Sequence, residues 1–497
     1  MDNIKSIFKP IDLTKGNITN VLIRFMIPIM LSMFFQQIYT ITDTVIVGQN
    51  LNQAQIAGIN DAAILTYFVL NFVSGLTSGF SVVIAERFSK KDTEGVRKSI
   101  FIQLILSVFF SVILTIGGIL TIDPLLSWLG ISASTLDAQK QMIYESAYTY
   151  LLIIYIGTIC SMLYNLVGSI LRALGDSFTP FLFLVVGVVL NIFFDLLFIV
   201  VFKWEIAGAA IATVLTQLLT VIGTFVYAYL HFKEFHLQKS DLKISMSDVF
   251  EHIKMGVPLG FQYSILSIGI IIMQKAIISF DFDPSGLAIT GAPCQLGYGV
   301  SNKVGGLMMT PLNALGSGML AYMGQNHGVN DYNRIRKGFQ VSLVIGTVTW
   351  ILMTVIGLCL TINGTYQYMF LSAGDVTEES LKYGNIYLYI SLPNQFFLMI
   401  LFICRNALQG IHKPLFPFLA GIGELVARTL ICIYLPTLIY GGPITSLAGE
   451  GSFSWPYAAV CLADPLAWFI AGIPLLLIPF LVDVYIKAPD RKLKIKE

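Results

Sequence analysis

Residues 178–202 read FTPFLFLVVGVVLNIFFDLLFIVVF, and beyond the first turn only Asn191 and Asp195 carry polar side chains. At a helical rise of ~1.5 Å per residue, such a run is long enough to cross a hydrocarbon core of ~30 Å. Asn191 and Asp195 are four residues apart, so a helix places them on one face, one turn above the other. A carboxylate facing lipid is costly, which sends Asp195 towards protein or a water-filled cavity. The run contains no Lys or Arg to neutralise it.

The remainder of the chain has the same character. Of its 497 residues, 56% are hydrophobic and 12% charged, with a mean hydropathy of +0.76. Soluble domains carry about 25% charged residues, so the composition is that of a polytopic membrane protein. A net charge of +1 argues against a nucleic-acid partner. The six cysteines lie singly and form no CxxC, so neither a zinc site nor a disulfide framework is indicated. The first apolar run is too long for a signal-peptide core and follows 20 mostly polar residues.

Twelve spans are expected, near 22–47, 59–85, 99–121, 144–170, 178–202 and 206–230, then 256–280, 297–324, 338–361, 384–404, 414–439 and 457–481. The expected fold is an all-α integral membrane protein of 12 transmembrane helices in two pseudo-symmetric six-helix lobes. These would be residues 1–230 and 256–481, joined by a cytoplasmic linker at 231–255 and followed by a basic tail at 482–497. With the N-terminus inside, the outer loops carry only Lys140, Lys203 and Lys382, and three further cations (Lys275, Lys303, Arg428) fall within spans. All other Lys and Arg lie on the side of the termini, so both ends are expected in the cytoplasm.

The two halves resemble each other. LIRFMIPIM at 22–30 aligns with HIKMGVPLG at 252–260, Asp92, Arg97 and Lys98 with Asp331, Arg336 and Lys337, and Arg172 with Arg405. Six spans per half give repeats of one orientation, related by an axis along the membrane normal, an architecture that typically houses a transporter. The matched prolines Pro28 and Pro258 would bend spans one and seven alike, either as hinges or as static kinks.

Charge separates the halves. In the second, Lys275, Lys303 and Arg428 are balanced by Glu424 and Asp464, and the i, i+4 spacing of Glu424 and Arg428 suggests a local ion pair. In the first, Asp43 and Asp195 are buried with no basic residue at comparable depth. Counting ~1.5 Å per residue puts Asp43 ~28 Å past Arg24, Asp195 ~22 Å past Pro180 and Thr213 ~10 Å in from the outer end of its span. Tyr150 lies about six residues in from the outer end of span four, so these four share the outer half of the membrane. Gln36, Tyr39 and Asp43 form a polar stripe on span one. Desolvated carboxyl groups lacking a cation hold a proton, which an incoming cation would expel. Such competition is the minimum machinery of an antiporter. Asn191, Thr213 and Tyr150 would supply uncharged partners, although aromatic packing accounts for Tyr150 equally well.

All five histidines fall in or beside cytoplasmic loops, and no HExxH, GxSxG, Walker A or Rossmann signature occurs. No enzymatic activity is expected. An ion gradient is the energy source left for uphill transport.

QQIYTITDTVIVGQ (36–49), RALGDSFTP (172–180), its cognate RNALQGIHKP (405–414) and MGQNHG (323–328) resemble the multidrug and toxic compound extrusion (MATE) family over almost the whole chain. The resemblance implies export of organic cations and other amphipathic compounds in exchange for H⁺ or Na⁺ across a prokaryotic plasma membrane. It implies no cofactor, and no metal beyond Na⁺ at Asp43 and Asp195. A monomer among membrane lipids is expected. In prokaryotic members the cation site uses an Asp on span one, an Asn and an Asp four apart on span five, and a Thr on span six. Asp43, Asn191, Asp195 and Thr213 stand at those positions, with Tyr150 beside them. Some sodium-coupled members add a Glu on span seven and an Asp on span ten, and this chain has neither. Met30, Met33, Phe34, Gln36 and Tyr39 are candidate substrate contacts, or else packing residues. A flippase for lipid-linked saccharide or another lipid is the alternative, kept open by Lys275, Lys303 and Arg428.

Overall fold

The computed structural model describes residues 10–128, 131, 138–282, 287, 289, 291–371, 376–440 and 454–488. Most of the segments near 281–290 and 441–456, which have no counterpart in the family resemblance, lies outside these, as does most of the basic tail. Among the described residues ten helices are long and apolar enough to cross a membrane, or eleven if Ala138–Ile156 and Thr158–Ala173 count as one bent span. The eighth span, Pro293–Gly328, has the length but is rich in glycine and carries Lys303. The architecture is all-α, a membrane protein of twelve spans.

Contacts divide the chain into two compact units. The first comprises Met1–Gly16, Ile23–Ser264 and Gly324–Asn330; the second comprises Asn17–Leu22, Ile265–Met323 and Asp331–Glu497. The segment expected as a linker, 231–255, belongs to the first unit. Phe235 is buried in that unit's core, Arg97 binds Asp241 at 2.7 Å, and Arg87 binds Asp248 and Glu251, each at 2.7 Å. Desolvation opposes the charge on Asp241, but Arg97 outweighs it and holds the carboxyl below its ordinary range.

Inside the first unit, Phe72, Leu76, Phe80 and Ile84 of the second span (Gln53–Ser89) pack with Met162 and Leu166 of the bent fourth. Gly75 and Gly79 lie against the backbone of Leu259 and Met255. Gly256 and Gly260 on the seventh span (Met246–Ile278) lie in turn beneath Phe80 and Phe72. Small residues four apart let two membrane helices approach closely. The 49° bend of the fourth span falls at Gly157. A side chain there would collide with Val214, and the Thr115 hydroxyl takes up the Tyr155 carbonyl at 2.7 Å. No proline announced this bend; its cause is tertiary.

Two of the quoted motifs meet in this unit. Gln325 accepts from the Leu13 N–H at 3.1 Å and donates to the Ala173 carbonyl at 2.8 Å. Gly175, at φ +89°, lies so close to the Ile11 carbonyl that only glycine fits. Asp176 then caps the fifth span, accepting from the N–H groups of Phe178 (3.0 Å) and Thr179 (2.9 Å).

In the second unit a cluster around Tyr298, Tyr366, Tyr383, Tyr387 and Tyr457 forms the core. Asp281 accepts from the N–H groups of Cys294 and Gln295, both at 2.8 Å, and so caps the eighth span. The expected Glu424–Arg428 pair does not form. Glu424 binds Arg405 at 2.6 Å, while Arg428 binds Asp464. Arg405, read from the sequence as a loop residue, is only 4% exposed. Neighbouring helices supply both partners; the Arg405–Glu424 pair is buried, while Asp464 keeps 24% of its side chain exposed. Lys275 and Lys303 remain exposed, and Lys303 sits over the Phe370 ring at 5.7 Å.

Candidate functional site

The fifth span runs as α-helix over Phe178–Asp195 and loosens into a π-helical turn over Leu196–Val201. Single π turns inside α-helices recur at functional sites, and this one begins directly after Asp195. The turn is fastened by the Phe202 N–H to the Leu197 carbonyl (2.9 Å) and by Phe198 stacking on Trp204 (centroids 5.0 Å apart). Lys203 and Glu205, at φ 56° and 50°, then reverse the chain into the sixth span, Glu205–His231. The Gln55 amide donates to Glu205 at 2.6 Å, tying the start of span two to the start of span six.

This turn puts Asp195 against the C-terminal half of the first span, Ile18–Asn50. Ile46 and Val47 pack with Ile199, Ile206 and Ala209, and the Tyr150 ring lies beside them. Within that apolar collar the polar groups meet. The carboxyl groups of Asp43 and Asp195 are within hydrogen-bonding reach of one another. The Tyr39 hydroxyl reaches Thr213, and Tyr39 and Tyr150 both lie in the field of the two acids. Thr213 donates its own proton to the Ala209 carbonyl at 3.2 Å. The structure therefore gathers Asp43, Asp195, Tyr39, Tyr150 and Thr213 in one place.

Asn191 and Asp195 are both 0% exposed. Neither Asp195 oxygen, neither Asn191 amide atom, and not Asp43 Oδ1 has a hydrogen-bond partner among the described residues. No Lys or Arg there forms an ion pair with either acid. Two carboxylates in contact repel, and neither can donate to the other. Physics requires something positive between them: a proton shared by the pair, or a cation coordinated by both. The available donors are all oxygens, from carboxyls, an amide carbonyl and hydroxyls. That set suits a proton or a hard monovalent ion.

Of the candidate substrate contacts, Tyr39 sits at this centre, and the other four lie nearer the start of the first span. Met30, Met33 and Phe34 are half-buried on the first span, ~14–20 Å from Asp43 at the helical rise. Gln36 is exposed. Phe35, not among the expected contacts, packs edge-on against Phe181 of the fifth span at 5.6 Å. Thr216 and Thr220, buried on the sixth span, were not among the expected site residues. Their spacing from Thr213 repeats that of a helix face and could have revealed them.

Comparison with known proteins places this geometry in a family. The MatE family model matches residues 28–197 and 296–434. A probable multidrug resistance protein of Bacillus subtilis, YpnP, is 27% identical over 331 residues, 66% of this chain and 69% of the relative. A second from the same organism, YoeA, is 25% identical over 74% of this chain and 76% of its own. A solved outward-facing structure of a multidrug resistance MATE transporter of the MOP superfamily superposes with a TM-score of 0.80. It covers 96% of this chain and 98% of that one at 18% identity, a likeness of fold. The family consists of transporters, not enzymes, and its bacterial members imply the plasma membrane. The chain belongs to the MatE family and is a multi-pass membrane transporter.

Proposed function

We propose that the protein is a cation-coupled antiporter that exports amphipathic, often cationic, small molecules by alternating access, exchanging them for H⁺ or Na⁺. The observation that carries this reading is the contact between Asp43 and Asp195 without a lysine or arginine. Such a pair binds one positive charge at a time, so inward release of a proton or Na⁺ and outward passage of a cation can be linked through it. The B. subtilis relatives, both probable multidrug resistance proteins, support drugs as the substrate class. The protein acts as a monomer among membrane lipids, takes no cofactor, and keeps both termini in the cytoplasm, in line with the excess of Lys and Arg on that side.

A flippase for anionic lipids would need several unpaired cations facing its cavity. Lys275 and Lys303 are exposed and have no carboxylate partner among the described residues, but Arg405 and Arg428 are neutralised locally. The balance favours the antiporter. The test is ethidium efflux from inverted vesicles under imposed pH or Na⁺ gradients. Efflux should follow one of the two gradients. Efflux indifferent to both would reject the proposal.

A further inference from the structure

The polar groups beneath Asp195 extend beyond the acid pair. Gly187, Asn191 and Asp195 recur every four residues on the fifth span, and Thr213, Thr216 and Thr220 recur at helical spacing on the sixth. The two helices run antiparallel in fixed register. Gly208 packs on Phe198, while a Cβ on Gly187 would lie 3.0 Å from Thr220 Oγ1 and 3.7 Å from Thr216 Cγ2. Asn191, one turn above Gly187, therefore faces the level of Thr216.

Threonines in membrane helices ordinarily donate to the carbonyl four residues back. Thr40, Thr44, Thr213 and Thr224 all do so here. Thr216 and Thr220 do not: their hydroxyls are buried and without a partner, like both amide atoms of Asn191. Thr216 is 7% exposed, Thr220 2% and Asn191 0%. Buried polar groups left unpaired in a row, each beside the next, mark a place where something polar is held. The row stops at Thr224, whose hydroxyl is satisfied by Thr220.

We propose that the seam between spans five and six is an inner cation station, built of neutral oxygens from Asn191, Thr216 and Thr220. It would take the coupling cation, as hydronium or as Na⁺, when that cation leaves Asp195 towards the Asp176 end of the fifth span. Gly187 keeps the space beside the Thr220 hydroxyl open. The station rests on the reading of Asp43 and Asp195 as the coupling pair, and extends it to residues that bind the ion in transit.

The test uses the full-length protein in proteoliposomes, with ethidium export driven by a pH gradient or a Na⁺ gradient in separate arms. The responsive arm identifies the ion. Thr216→Val with Thr220→Val removes both hydroxyls at nearly constant shape, and Gly187→Ala crowds the space without removing either. Each is expected to slow gradient-driven exchange at least fivefold, with ethidium affinity of the purified protein within twofold of wild type. The double Thr→Ser variant should recover the rate. Exchange within twofold of wild type in either the valine or the alanine variant would overturn the station. So would a loss that serine does not restore, or one matched by an equal loss of ethidium affinity. Asp195→Asn separates the two claims. If it is inactive while the valine variant is normal, the station alone fails; if it exports normally under a gradient, the coupling pair fails as well.

Discussion

The two units of this transporter handle buried charge in opposite ways. In the second, each buried arginine has its acid: Arg405 holds Glu424 and Arg428 holds Asp464. The fold makes room for both pairs. Gly472, in the π-helical stretch Trp468–Gly472, lies against the Glu424 carboxyl, and Gly269 leaves space for the Arg428 guanidinium. In the first unit, Asp43 and Asp195 meet each other instead, and the groups around them are a tyrosine pair, an asparagine and threonines. A matched pair is finished chemistry that only holds helices together. An unmatched pair of acids must borrow a positive charge, and what is borrowed can be exchanged.

Substitutions can break this contrast or sharpen it. Asp195→Asn should have the largest effect, abolishing gradient-driven efflux in vesicles while membrane insertion is retained, because it removes charge but little volume. Thr213→Lys would give the first unit the arrangement of the second by setting an ammonium beside the two acids. It should fold, and should lose at least tenfold in coupled efflux, since the borrowed charge has become permanent.

Glu424→Gln probes the other side. Removing one partner of a buried ion pair costs about 3–5 kcal/mol, which should appear as a lowered melting temperature in detergent. Protein that survives should keep its wild-type ion dependence. Altered ion dependence there would show that the second unit also takes part in exchange.

Arg97→Gln should act least, destabilising by about 1.5–3 kcal/mol through loss of a charge-assisted hydrogen bond and leaving coupling intact. Because Arg97 holds the Asp241 carboxyl below its ordinary value of 3.8, the stabilisation is fully present above that value. It is lost as pH falls below 3.8 and through the folded-state value. Thermal melts of wild type and Arg97→Gln should therefore converge only in that acidic range.

Much of this contrast was legible in the sequence. Hydrophobic runs of span length, with Asp43 and Asp195 each stranded in one, sufficed to place the acids at similar depth. Helical periodicity put Asn191 on the face of Asp195. Tertiary choices were not legible. Glu424 had a partner at ideal spacing on its own helix, yet it binds Arg405 of the tenth span, and Arg428 turns to Asp464. At the bend, Gly157 lies against Val214 of another span, a contact that no local pattern announces. The docking of 231–255 depends on Arg87 and Arg97, which a one-dimensional reading sees only as loop charges favouring one side of the membrane.

The most direct test of the unmatched acid pair is the equilibrium affinity of the purified protein for an organic cation, measured by ethidium fluorescence across pH and across Na⁺ concentration. Wild-type affinity should rise as protons are withdrawn or fall as Na⁺ is added, and Asp195→Asn should lose this dependence. A wild-type affinity flat in both pH and Na⁺ would contradict it.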